Sequence, residues 1–213
     1  MKYIASFIIL ALSSANAVAE GELLIQGSPL KLELDNHHQI IISSCKEFES
    51  IRHNGDKIIS FPEIKIDRVY SEAKEALFSC WISTYTEKNK LSPTNDAPPS
   101  LSEVLQHFPA SASFSISNYE IEKIKQHSKE KSILELTPDL KVVQNSAESI
   151  KSDTGYRLGA FYSFKNPKNK IIKIITLNGY ALHGTIGATQ HWMVDDFNTS
   201  LWKIKKIDEN SPL

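Results

Sequence analysis

The sequence has little cysteine, little glycine and no surplus of either charge. Two cysteines in 213 residues exclude a scaffold built mainly of disulfides, and the spacing of Cys45 and Cys80 excludes a CxxC redox or zinc motif. With 24 Lys+Arg against 25 Asp+Glu, no broad basic field is on offer to a nucleic-acid backbone, and no nucleic-acid partner is expected. The glycines, eight in all, are not set in a strand–loop–helix pattern that cradles phosphate. No Gly-x-Ser-x-Gly elbow occurs, so a serine hydrolase would rest on composition alone. No apolar run approaches the roughly twenty residues that a bilayer span requires.

The start of the chain has a recognisable physical order. Lys2 precedes an apolar run from Tyr3 to Leu12, and small residues end in Ala17-Val18-Ala19. This order predicts a secretory signal peptide over residues 1–19, leaving residues 20–213 as one secreted domain with no membrane anchor. Cleavage is expected after Ala19, or after Ala17. The expected location is the periplasm or the exterior. In an oxidising compartment an even cysteine pair forms one structural disulfide, so Cys45 and Cys80 are expected to be bridged.

Periodicity divides the remainder. Leu30 to Leu34 alternates, Asp35-Asn36 turns, and Gln39 to Ser43 is β-rich, which together predict an N-terminal hairpin. From Asp67 to about Lys88, Val69, Tyr70, Ala73, Ala76, Leu77, Cys80 and Trp81 recur at helical steps, predicting one long helix with Asp67 as its N-cap. Ser100 and Glu103 have capping-box spacing before a brief helix, Ala112 to Ile116 alternates as a strand would, and Asn118 is placed to cap a further helix. From Tyr156 onward the chain is rich in β-formers and punctuated by turns. The runs are Tyr156 to Phe164, Lys170 to Leu177, Tyr180 to Ile186, Thr189 to Phe197 and Leu201 to Ile207, with Asn178-Gly179 the strongest hairpin signal. The expected fold is α+β: an N-terminal β-hairpin, a long helix with shorter ones, and a C-terminal antiparallel sheet, curved or partly closed. One face of that sheet is expected to pack on the helices.

Candidate chemistry is sparse. A hairpin turning about Gly187 would oppose His183 and His191 across two strands as a metal candidate, with Asp195 on the same strand face but too far along it to bind the same ion, and no third ligand in reach. Ordinary sheet histidines explain the pair better, so neither a metal nor any other cofactor is expected. Lys203, Lys205 and Lys206 flank Trp202 and suit a solvent-facing edge that discourages strand addition. Aromatic residues concentrate in the sheet. Tyr162, Tyr180, Trp192 and Trp202 are the candidate binding surface, because tyrosine and tryptophan anchor interfaces.

The expectation is a periplasmic, non-catalytic binding protein that recognises a protein partner, of the inhibitor or immunity kind. Its alternatives are a hydrolase, with or without a metal, and a small-ligand carrier with a pocket between helix and sheet. Oligomeric state is not set by the sequence.

Overall fold

The computed structural model of the protein describes residues 22–213, and the predicted signal peptide lies outside them. In chain order the elements are β1 (Leu24–Ile25), β2 (Ser28–Leu34), β3 (Gln39–Ile42), α1 (Cys45–His53), β4 (Ile58–Ser60) and α2 (Asp67–Lys88). β5 (Ser92–Pro93), α3 (Leu101–His107), a 3-10 turn at Ala110–Ala112, α4 (Asn118–His127) and α5 (Ile133–Leu136) follow. The chain closes with β6 (Lys141–Val143), β7 (Ser146–Ser149), β8 (Thr154–Lys165), β9 (Ile171–Ala181), β10 (Gly187–Asp196) and β11 (Lys203–Ile207). The described residues form an α+β fold whose antiparallel sheets do not close into a barrel.

The N-terminal hairpin pairs Leu30 with Ile42 and Leu32 with Ile40, turning its leucines inward. α1 follows at once because Ser44 and Glu47 form a reciprocal capping box, the device that satisfies otherwise orphaned N-terminal amides. Cys45 opens α1, Cys80 lies on the buried side of α2, and the two form a disulfide. α2 begins at Asp67, but Asp67 is its first residue rather than its cap; Ile66 occupies the cap position without a side-chain bond. Ser117, not Asn118, caps α4, its hydroxyl accepting the Glu120 amide.

The large sheet runs β11-β10-β9-β8-β7-β6, and cores lie on both of its faces rather than one. On the front, Ile174 and Ile207 join a cluster with Leu32, Phe48, Leu77 and Trp81 of the N-terminal elements. On the back, Ile175, Leu177, Trp192 and Val194 pack with Val104, Leu105 and Phe108 of the α3 region. The run Ile171 to Leu177 is apolar almost throughout because β9 is covered on both sides.

One turn expectation and one strand expectation are corrected. Asn178-Gly179 is not a hairpin turn: β9 continues through it to Ala181. Glycine is required there by close approach, since a Cβ at Gly179 would overlap the Phe114 side chain. Residues 112–116 do not form a strand either. Phe114 instead meets the buried Tyr156 hydroxyl, which accepts its amide at 3.0 Å. With the backbone satisfied by a side chain, no neighbouring strand is needed.

Candidate functional site

The sheet is longer than the layers that cover it. Its far end, formed by the β6–β7 hairpin, residues 150–153 between β7 and β8, and the 182–186 loop between β9 and β10, carries exposed side chains that the cores do not use. Asp153 holds these segments together. It adopts a left-handed backbone, φ 52°, and its carbonyl accepts the Leu182 amide at 3.1 Å. Its carboxylate accepts the His183 amide at 3.1 Å and the His183 Nδ1 proton at 2.6 Å.

A chain of hydroxyls backs the same turn. Ser149 donates to Asp139 at 2.6 Å, and Ser152 lies 2.8 Å from Ser149 and 2.7 Å from Thr154, oxygen to oxygen. The Ser149 hydrogen bond holds the Asp139 carboxyl below the usual carboxylate range, with Lys151 contributing charge and a backbone amide. On the front face Glu148, Gly155 and Tyr180 form one cross-strand row. The Tyr180 ring lies over Gly155, where a Cβ would collide with it, and its hydroxyl donates to Glu148 at 3.1 Å. The Arg157 guanidinium stacks 4.9 Å from the centre of the same ring.

Two grooves adjoin at this end, sharing Asp139 and Lys151 in their walls. The front groove, about 380 Å³, is lined by Lys141, Val143, Glu148 and Ile150 besides the shared pair. The back groove, about 470 Å³, runs under α4 past Phe114, Ile116, Tyr119 and Leu136. α4 buries none of its residues; Lys123 holds it by donating to the Leu136 carbonyl at 3.1 Å. Tyr119 in the back groove is left 80% exposed and Ile150 in the front groove 84% exposed.

The residues expected from sequence are distributed differently. Tyr180 belongs to this site. Trp192 and Trp202 do not: both are buried in the back cluster, Trp202 stacked on His107 and meeting Phe108 and Phe197 edge-on. Alternation along a strand indicates exposure only when one face is open, and here the back face is covered. Tyr162 is half-buried on the front, packed against the N-terminal core and stacked on Phe164. Burial pushes its hydroxyl pKa up, with Glu75 adding to the effect.

His183 and His191 are not opposed. Gly187 pairs with Tyr180 and His191 with Thr176, so the hairpin turns around residues 183 and 184, leaving His183 at its tip. His191 is buried beneath α2. It stacks on Phe78 at 3.5 Å, with Nδ1 2.9 Å from the Thr176 hydroxyl and Nε2 3.1 Å from Glu75. Asp195 lies toward Tyr85, whose pKa it raises second to burial. Among the described residues no group of three or more His, Cys, Asp or Glu side chains is placed to hold a metal ion. Phe78, His191 and Tyr162 lie between α2 and the sheet, where the carrier alternative places its pocket.

Sequence reasoning missed Val143, Ile150, Tyr119 and Lys141. Leu140 to Val143 is too short for periodicity to tell inside from outside, Ile150 follows the end of β7, and Tyr119 stands in the first turn of α4. The only available signal was isoleucine or tyrosine beside charged residues with no apolar partner at strand or helix spacing. No protein-family model, curated protein or solved structure matches the chain.

Proposed function

We propose that the protein is an exported, non-catalytic binding protein whose ligand is another protein, of the inhibitor or immunity kind, met by the far end of the C-terminal sheet. The observation that carries this reading is the pair of adjoining grooves, with Val143 and Ile150 on one side and Ile116 and Tyr119 on the other. Covering one such side chain contributes roughly 1.5–3 kcal/mol, and apolar anchors ringed by polar groups are how protein interfaces concentrate their binding energy. The surrounding acids are already bound within the protein: Asp139 by Ser149, Glu148 by Tyr180 and Asp153 by His183. They serve as walls, and a partner need not desolvate an unpaired carboxylate to reach the apolar floor.

Export is supported by the disulfide, a bond that persists in oxidising compartments. No helix among the described residues is long and apolar enough to cross a membrane.

The test is affinity capture from the envelope of the producing cells, using the wild-type chain, Ile150→Glu and a distant control, Ile41→Glu. The reading expects one stoichiometric protein held by the wild type and by Ile41→Glu, and lost with Ile150→Glu. Equal capture by all three proteins, or no protein captured, contradicts it.

A further inference from the structure

Between Asp153 and Asp195 the chain carries no acidic residue, while Arg157, Lys165, Lys168, Lys170 and Lys173 fall within that stretch. Lys165, Lys168 and Lys170 sit at the β8–β9 turn, at the opposite end of the sheet from the grooves. β8 starts at Thr154 and ends at Lys165, so the two ends stand roughly 35 Å apart at the usual strand rise. The turn projects from the sheet: Ile171 and Ile172 pair with Lys165 and Phe164 of β8, whereas pairing with β10 stops at Lys173. It is also fixed in shape. The Asn166 side-chain oxygen accepts the amides of Lys168 and Lys170, each at 2.9 Å, and the Asn166 main chain bonds those of Asn169 and Lys170. Ile171 is left 41% exposed beside these lysines.

The end of α2 brings two further lysines to the same place. β5 pairs Ser92 with Lys165, and Lys88 and Lys90 shortly precede β5. Lys88, Lys90, Lys165, Lys168 and Lys170 are all exposed, and none forms an ion pair with a described residue. The nearby acids do not cancel them. Asp96 accepts from Ser163 and Thr94 and lies 3.8 Å from Lys173, and Asp196 lies 3.9 Å from Lys203. Glu87 beside Lys88 and Asp195 on the β10 side remain, so five unpaired lysines stand against two carboxylates.

We propose that this lysine tip docks the protein on an anionic phospholipid surface, with Ile171 entering the headgroup layer. A protein partner's side chains are received by grooves, as at the other end of the sheet; cations spread over a projecting turn suit a surface that is flat and negative throughout. An apolar side chain beside them adds burial in the interfacial layer. Docking by this end leaves the grooves pointing away from the bilayer. The proposal goes beyond the protein-binding reading and does not depend on it.

The test is co-sedimentation of the purified exported chain with vesicles of phosphatidylcholine and phosphatidylglycerol in equal parts, or of phosphatidylcholine alone. Binding is expected to the anionic vesicles only, and to weaken as added salt screens the charges. Lys165→Gln, Lys168→Gln and Lys170→Gln together should lower it by about tenfold or more. The same change at Lys57, Lys65 and Lys129, which precede β4 and α2 and follow α4, should leave it nearly unchanged. All the replaced lysines are exposed, so neither variant disturbs the core. No binding to anionic vesicles, equal binding to neutral ones, or equal losses from the two variants overturns the proposal. If the turn variant instead loses an acidic protein captured from the envelope while no vesicle is bound, the tip is a protein contact and lipid docking fails.

Discussion

The indole N–H of Trp81 donates to the main-chain carbonyl of Ser211 at 2.9 Å, joining α2 to the chain's last residues. The same segment is held by Arg52, which donates to the Asn210 carbonyl at 2.8 Å, and by the Asn210 side chain, which bonds both the amide and the carbonyl of Ile58. Trp192 is also buried, yet its indole nitrogen has no acceptor among the described residues. Replacing each tryptophan by phenylalanine removes similar volume but only one hydrogen bond. Trp81→Phe is expected to lose about 1 kcal/mol more stability than Trp192→Phe in urea unfolding. Equal losses would contradict the assigned bond.

The disulfide closes a separation of 35 residues. Loop-closure entropy gives roughly 3–4 kcal/mol for a ring of that size, an upper value because residual denatured-state structure subtracts from it. Reduced protein, or Cys45→Ser, should unfold at markedly lower denaturant, and oxidised protein should show no free thiol by alkylation and mass measurement. Two alkylated cysteines without prior reduction would refute the bridge.

Gly179→Ala is expected to destabilise by about 1–3 kcal/mol, the usual cost of forcing an extra methyl into a packed contact, because it meets Phe114. Phe114→Ala in the same chain should recover part of the glycine loss in a double-mutant cycle. Strict additivity would show that the two residues do not touch.

Asp139 supplies an acid-dependent contribution. Its folded carboxyl is lowered, first by the Ser149 hydrogen bond, so the folded state favours the ionised form. The stabilisation is present above the unfolded carboxylate pKa of about 4 and is lost as pH falls through the lower folded value. Ser149→Ala should reduce stability at neutral pH and flatten the fall in stability below about pH 4. An unchanged pH slope between the two proteins would contradict the assignment.

Much of the scaffold was legible because its signals are local. The 22 residues of α2 repeat apolar groups over many turns, and an even cysteine pair pointed to the bridge. α1 was missed although Ser44 and Glu47 carry the capping-box spacing, because Phe48 and Ile51 alone are buried on so short a helix. Gly179 was misread because close packing and hairpin turning place glycine in the same local context; only the distant Phe114 distinguishes them. Trp192 and Trp202 were misplaced for a related reason, since α3 and its neighbours cover the back of the sheet from far away in sequence. Of the binding candidates Tyr180 alone lies at the open end. The groove residues around it are exposed through tertiary layering, which strand periodicity does not encode.

The account depends most on the far end of the sheet being an occupied surface in the cell. A photoreactive benzoylphenylalanine placed at Ile150, with Ile41 as the control position, tests this directly when each full-length chain is expressed in the producing cells and irradiated. The account predicts one discrete protein adduct from position 150 and none from position 41. No adduct from position 150, or the same adducts from both positions, would contradict it.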